Sequence, residues 1–240
     1  MKSILLLLII AKCCAYAQTN HIAHYKLKFE IDASSVKTNP RLYHVLEEAK
    51  KFEDEVELRL IFNAQQAVFE RLDQNRNAAN NLAFKLCGCD KTVYTNIANN
   101  TMTYYNKGSA PLGIADNAYI LNAPLYDERW VLHDEQTQIN GYRCYKASKT
   151  QTDAVGKSSQ VTAWYTPEFP YPLGPDKYGG LPGLIVQLQR GMEVFVLSKL
   201  EFNKKIDLPL PPTKGTEMRQ SDYSKLVREA LLKKTDKKRS

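Results

Sequence analysis

Near the start of the chain apolar and charged residues alternate without a break. Tyr25, Leu27, Phe29 and Ile31 are apolar, and Lys26, Lys28 and Glu30 lie between them. A period of two turns one set to a buried face and the other to water, which predicts a strand. The same period returns at Val56, Leu58, Leu60 and Phe62, with a weaker strand over 67–72. Segments 92–97 and 101–105 predict a hairpin around Asn99-Asn100, because Asn tolerates positive φ. Further strands are predicted over 118–121, 130–133, 142–147 and 160–166, with 148–159 as the loop joining the last two. A second hairpin, 184–189 and 193–200, turns at Arg190-Gly191. Three- and four-residue spacing appears twice. Leu42, Val45, Leu46, Ala49 and Phe52 follow Pro40, and Tyr223, Leu226, Val227, Ala230 and Leu231 follow Gln220 and Ser221. Both predict short amphipathic helices. Pro209, Pro211 and Pro212 cannot donate to a ladder and predict the end of the sheet. About ten strands, two helices and no alternating βα pattern describe a mainly β (α+β) fold. The expected form is a curved antiparallel sheet or half-barrel with helices on one face, one of them at the C-terminus, and a single domain over 18–240.

The first seventeen residues are expected to be a signal peptide. Lys2 is followed by an apolar run over 4–11, then by the small-x-small site Ala15-Tyr16-Ala17. Eight residues span about 12 Å as a helix, too short for a bilayer core. Cleavage after Ala17 implies an exported protein, of the periplasm or outer envelope, with no membrane span left. Lys12 directly before Cys13 argues against lipidation. The formal charge is +7, and much of it lies in Lys233, Lys234, Lys237, Lys238 and Arg239. No aromatics interleave with this basic tail, so no nucleic-acid partner is expected. Export makes a disulfide possible for the three cysteines that survive cleavage, Cys87, Cys89 and Cys144. A bridge from Cys144 to Cys87 or Cys89, free thiols, and a redox or metal role for Cys87-Gly88-Cys89 stay open as alternatives.

Residues 161–186 are the most distinctive stretch: a strand, a loop with five prolines and four glycines within the stretch, and another strand. Proline fixes φ and glycine permits close approach, so the loop can hold one shape with few contacts. Gly180-Leu181-Pro182-Gly183-Leu184-Ile185 resembles the signature that names the GLPGLI family. Gly141-Tyr142-Arg143-Cys144-Tyr145-Lys146-Ala147, Ala163-Trp164-Tyr165-Thr166 and Gly174-Pro175 resemble its companion motifs. The resemblance is specific over about 139–190 and looser over most of the rest. It implies an exported protein of Bacteroidota-type bacteria, with a curved half-barrel like that of periplasmic lipoprotein carriers. It implies no reaction. On one reading Gly174, Pro175, Gly180, Leu181, Pro182, Gly183, Leu184 and Ile185 form a structural corner. On the other, Trp164, Tyr165, Phe169, Tyr171, Tyr178 and Leu181 form a binding rim for an apolar ligand or a protein partner. Alternation puts Trp164 and Tyr165 on opposite faces.

No nucleophile elbow, HExxH, P-loop or GxGxxG motif occurs. His21 and His24 fall on opposite faces of a strand and form no metal pair. His133-Asp134-Glu135 reads as a turn at a strand end, and Asp176-Lys177 as a solvated pair. No metal or cofactor is expected. The resulting expectation is a non-enzymatic binding or carrier module for an apolar ligand or lipid. The alternative is an accessory protein that docks on an outer-membrane transport or secretion system through the loop at 164–185. A third reading is a hydrolase or redox protein using His133 or Cys87-Gly88-Cys89.

Overall fold

The computed structural model describes residues 19–31, 40–72, 88, 91–109, 112–125, 130–152 and 156–236. The signal segment, the Asn-rich stretch at 73–81, Cys87, Cys89 and the last four residues lie outside them. The elements are β1 (Asn20–Phe29), α1 (Pro40–Lys50), β2 (Glu57–Phe62), β3 (Gln66–Arg71), β4 (Val93–Asn96), β5 (Thr101–Lys107), β6 (Ala118–Pro124) and β7 (Val131–Ile139). They continue with β8 (Tyr142–Thr152), β9 (Ser158–Thr166), β10 (Leu184–Arg190), β11 (Glu193–Lys204), β12 (Thr216–Arg219) and α2 (Gln220–Asp236). The strands make one open, curved sheet in the order β12-β6-β5-β4-β3-β2-β1-β11-β10-β9-β8-β7. Every pair is antiparallel except β12 with β6. The mainly β fold with a C-terminal helix is therefore as the hydrophobic pattern predicts.

The period-two residues build one inner face. Ala23, Tyr25, Leu27 and Phe29 of β1 stand beside Leu58, Leu60 and Phe62 of β2, Ala67 and Phe69 of β3, and Phe195 and Leu197 of β11. All are buried. Leu46 and Ala49 of α1 and Tyr223 of α2 complete the cluster. The predicted hairpin at Asn99-Asn100 forms, with Asn100 at φ 52°.

Three expectations change. The sheet does not end at the prolines: residues 205–215 cross its outer face and deliver β12 to the far edge. Thr216 to Arg219 has no apolar alternation that could announce a strand. From β11 to β12 the strap passes seven strand spacings, about 34 Å. Its eleven residues make twelve Cα–Cα steps from Lys204 to Thr216, a reach of about 40 Å when extended, enough for that crossing. It is tied down early, where Asn20 donates Nδ2 to the Ile206 carbonyl at 2.6 Å and Asn63 donates to Asn20 Oδ1 at 2.8 Å. Leu208, Pro209, Leu210 and Pro211 then share a groove with Val68, Tyr94 and Thr103. Second, β8 and β9 extend to Thr152 and Ser158, shortening the loop predicted at 148–159. Third, His133-Asp134-Glu135 is not a turn. It lies inside β7, where the register with β8 is irregular between Leu132 and Gln136. The turn comes later, at Asn140 (φ 51°) and Gly141 (φ 85°), the positive-φ pair of a two-residue hairpin. β7 is an edge strand, largely exposed on both faces. Its irregularity and its charges blunt an otherwise open edge.

The loop 167–183 folds back over the inner face. Leu173, Tyr178 and Leu181 are buried in the main cluster. Its backbone is satisfied locally: Ile185 N–H donates to the Leu173 carbonyl at 2.9 Å, Gly180 N–H to Pro172 at 3.0 Å, and Leu184 N–H to Phe169 at 3.0 Å. The Tyr25 hydroxyl donates to the Ile185 carbonyl at 2.7 Å, joining β1 to the end of the loop. Two glycines permit this packing. A Cβ on Gly183 (φ 154°) would lie 2.1 Å from the Thr166 carbonyl oxygen, and one on Gly174 would lie 2.6 Å from Ile185 Cδ1.

Tyr25→Phe leaves the buried Ile185 carbonyl without this donor and should cost about 1–3 kcal/mol in urea unfolding. Gly183→Ala forces backbone apart and should cost more. The reverse order would show that the loop is not clamped on the sheet at these points.

Candidate functional site

Where the loop approaches β5 and α2 the inner face is not filled. A cleft of two lobes remains, about 250 and 220 Å³, sharing Tyr104, Lys177 and Gln220 as walls. The first lobe has an apolar floor of Val93, Leu121, Tyr223 and Val227, with Lys91, Asp176 and Arg190 around it. The second is bounded by Met102, Ala123, Leu125, Lys149, Gln151 and Gly179.

Each wall follows from local structure. Tyr104 lies on the inner face of β5, opposite Val93. Tyr223, in the first turns of α2, stacks near Tyr119 with centroids 5.2 Å apart and donates its hydroxyl to the Lys107 carbonyl at 3.3 Å. Lys149 and Arg190 both stand across from Val161, on either side of β9. Asp176 sits at the loop tip with φ 54°, a left-handed conformation that Asp tolerates and few other side chains adopt. It does not pair with Lys177 as a solvated couple. Its Oδ2 meets Arg190 at 3.0 Å, while Glu193 takes the other guanidinium nitrogen at 2.7 Å.

Lys149 is 6% exposed. Its ammonium lies 4.5 Å from the Trp130 ring centroid and 4.4 Å from that of Tyr178. Trp130 is fixed by donating its indole N–H to the Gly179 carbonyl at 2.9 Å, and Tyr178 by donating its hydroxyl to Gln151 at 2.5 Å. Burial, then the nearby charge of Lys177, push the Lys149 ammonium down to about 7. Burial and the Asp176 charge push the Tyr104 phenol up to about 12.

The residues singled out by sequence are dispersed. Tyr178 borders the cleft through its ring contact with Lys149, while Tyr165 and Leu181 are buried in the core. Trp164 is half-buried on the opposite face of β9. Phe169 and Tyr171 belong to a separate aromatic chain running from Tyr142 through Phe169, Phe202, His21 and Tyr171 to Phe62, with centroids 4.9–5.5 Å apart. There His21 Nδ1 accepts the Asn203 N–H at 3.2 Å, which leaves Nε2 to donate to the Tyr171 hydroxyl at 3.0 Å. His24 faces the other way, onto Glu201 at 3.0 Å. His133 is 2.7 Å from Ser148 Oγ and Glu135 is paired with Lys146, so the three residues do not converge. Cys144 has a free, buried thiol, pushed by burial up to about 11. Cys87 and Cys89 lie outside the described residues. Among the described residues no three His, Cys, Asp or Glu side chains gather as metal ligands, and no helix is long and apolar enough to cross a membrane. Lys149, Arg190, Tyr104 and Tyr223 were not singled out by sequence for the cleft: Tyr104 and Tyr223 read as ordinary strand and helix positions, Lys149 as part of the loop predicted at 148–159, and Arg190 as a hairpin turn.

Residues 148–187 match the family described as "Protein of unknown function (Porph_ging)". That stretch holds Lys149, the loop and the start of β10. No curated protein matches the chain. Among solved structures it resembles PNGF-II in two crystal forms. The TM-scores are 0.54 and 0.52, the identities 16% and 15%, over 89% of this chain. The chain spans 34% and 33% of those two chains, so the likeness concerns about a third of PNGF-II and, at such identity, the fold alone.

Desolvated Lys149 makes a pH prediction. Between pH 7 and 10.5 the unfolded chain holds a proton that folded Lys149 has released, so stability rises with pH across this window. Compared between pH 7 and 9.5, Lys149→Met should flatten that rise by up to about 1.4 kcal/mol per pH unit. Equal slopes would mean that the amine is well solvated.

Proposed function

We propose that the protein is an exported, non-enzymatic binding module of the cell envelope, and that the cleft between its loop and α2 holds a small ligand with an apolar part. The GLPGLI-like motifs and the signal-like first seventeen residues support the envelope setting. The cleft carries the binding reading. Its first lobe has an apolar floor with a loop stiffened by prolines as one wall, and its second lobe is mainly polar; an apolar surface next to a few polar groups is the composition of small-molecule sites. Its lobes of about 250 and 220 Å³ lie each just below, and together within, the usual range of about 300–1,000 Å³. That suits a single short chain or a ring rather than a two-chain lipid, because the loop's own Leu173, Tyr178 and Leu181 fill the rest of the inner face.

A second reading, docking on an envelope protein, is favoured by the partly exposed end of the aromatic chain, Phe169 with Phe202. A Phe169→Ser, Phe202→Ser variant that lost a cross-linked envelope partner in cells, yet kept its melting temperature, would favour it over the cleft.

The cleft is tested with a neutral apolar fluorophore such as N-phenyl-1-naphthylamine. It should bind with enhanced emission, and Val227→Trp, which fills the first lobe from α2, should weaken binding at least tenfold while the protein stays folded. Binding unchanged in that variant would place the probe elsewhere and remove the basis of the reading.

A further inference from the structure

We propose that the cleft is selective for single-chain anionic amphiphiles, with the acidic head at Tyr104, Lys177 and Gln220 and the chain over Val93, Leu121 and Val227. This rests on the binding reading above and adds the ligand's chemical class.

The first observation is the charge balance of the lining. Lys91, Lys177 and Arg190 face the first lobe, and Lys149 and Lys177 the second, against the single carboxylate of Asp176. Asp176 is already bound to Arg190 at 3.0 Å, and Glu193 holds the other side of that guanidinium. Lys177 stands on the wall common to both lobes and has no ion-pair partner among the described residues. Its charge acts on Lys149, and an anion between the two would relieve that repulsion.

The second observation is independent of charge. Tyr104 is 8% exposed, lines both lobes, and its hydroxyl makes no hydrogen bond among the described residues. A buried O–H donor without an acceptor costs free energy, and native structures rarely leave one. An oxygen-rich head placed between this phenol and Lys177 would accept from both. Gln220 is the first residue of a seventeen-residue helix, so the same spot lies at the positive end of the α2 dipole. The one acidic side chain of that first turn, Asp222, is turned to Arg219 at 2.9 Å. The apolar residues begin directly beside the head site and lead into the first lobe.

The experiment is calorimetric titration of the purified protein with decanoate, decyl phosphate, decanol and decyltrimethylammonium, all below their micelle concentrations. At least one of the two anions should bind ten or more times tighter than decanol, and the cation weakest. Which anion is preferred distinguishes a carboxylate from a phosphate head. Lys177→Met should bring the preferred anion close to decanol. Tyr104→Phe, which keeps the ring and fills the same space, should weaken the anion several-fold and leave decanol unchanged. Equal affinity for anion and alcohol, or preference for the cation, would overturn the proposal while leaving the cleft a binding site. Failure of all four, together with failure of the neutral fluorophore, would overturn the binding reading itself.

Discussion

The structure depends on a loop being buried against an apolar sheet without leaving its backbone unpaired. Sheets normally cover such a face with helices, whose hydrogen bonds are internal. Here seventeen residues of irregular chain do much of the covering, so each buried carbonyl and amide needs its own partner. Prolines reduce the number of donors to be satisfied, short local bonds such as Gly183 N–H to Leu181 satisfy others, and the Tyr25 hydroxyl reaches across from β1 for Ile185. The glycines at 174 and 183 are where the chain must approach other atoms more closely than any side chain allows. The repeated Gly and Pro of this segment are thus accounted for by sterics and hydrogen bonding, whatever the cleft binds.

The cleft is a by-product of the same arrangement. The loop covers the β9–β10 side of the face and α2 covers the β6 side, and the gap between them keeps the residues that neither covers. Among them are two desolvated charges: Arg190, at the end of β10 and held by two carboxylates, and Lys149, within β8 and between two rings. Such groups are costly to bury without partners, which is why they occur at the edge of a cavity and not in the continuous core.

What could be read from sequence follows from which faces are wet. β1 and β2 have one buried and one exposed side, and their period of two was visible. β7 and β12 are edges with little burial on either side. A one-sided pattern has no physical basis there, so the sequence predicts only a short strand and a turn over β7 and no strand at β12. The tip of β9 failed to show for the same reason, and that of β8 because its buried residues, Ser148 and Lys149, are polar. For the site, abundance of aromatics marked the right segment but not their direction, since a ring in a core and a ring on a rim have the same composition. Tyr165, Tyr178 and Leu181 turned inward. The cationic residues of the cleft were invisible because curvature, which single positions do not encode, brings β5, β8 and β10 within reach of one loop.

The Pro-rich strap has a mechanical meaning. A chain laid across the outside of a sheet and joined to its far edge couples strands that share no hydrogen bonds. β12 runs parallel to β6 because the strap returns the chain to that edge in that direction, and α2 begins at the residue after β12. A shift of the β6 edge therefore carries α2, and with it one wall of the cleft, while the loop that forms the other wall stays with β9 and β10.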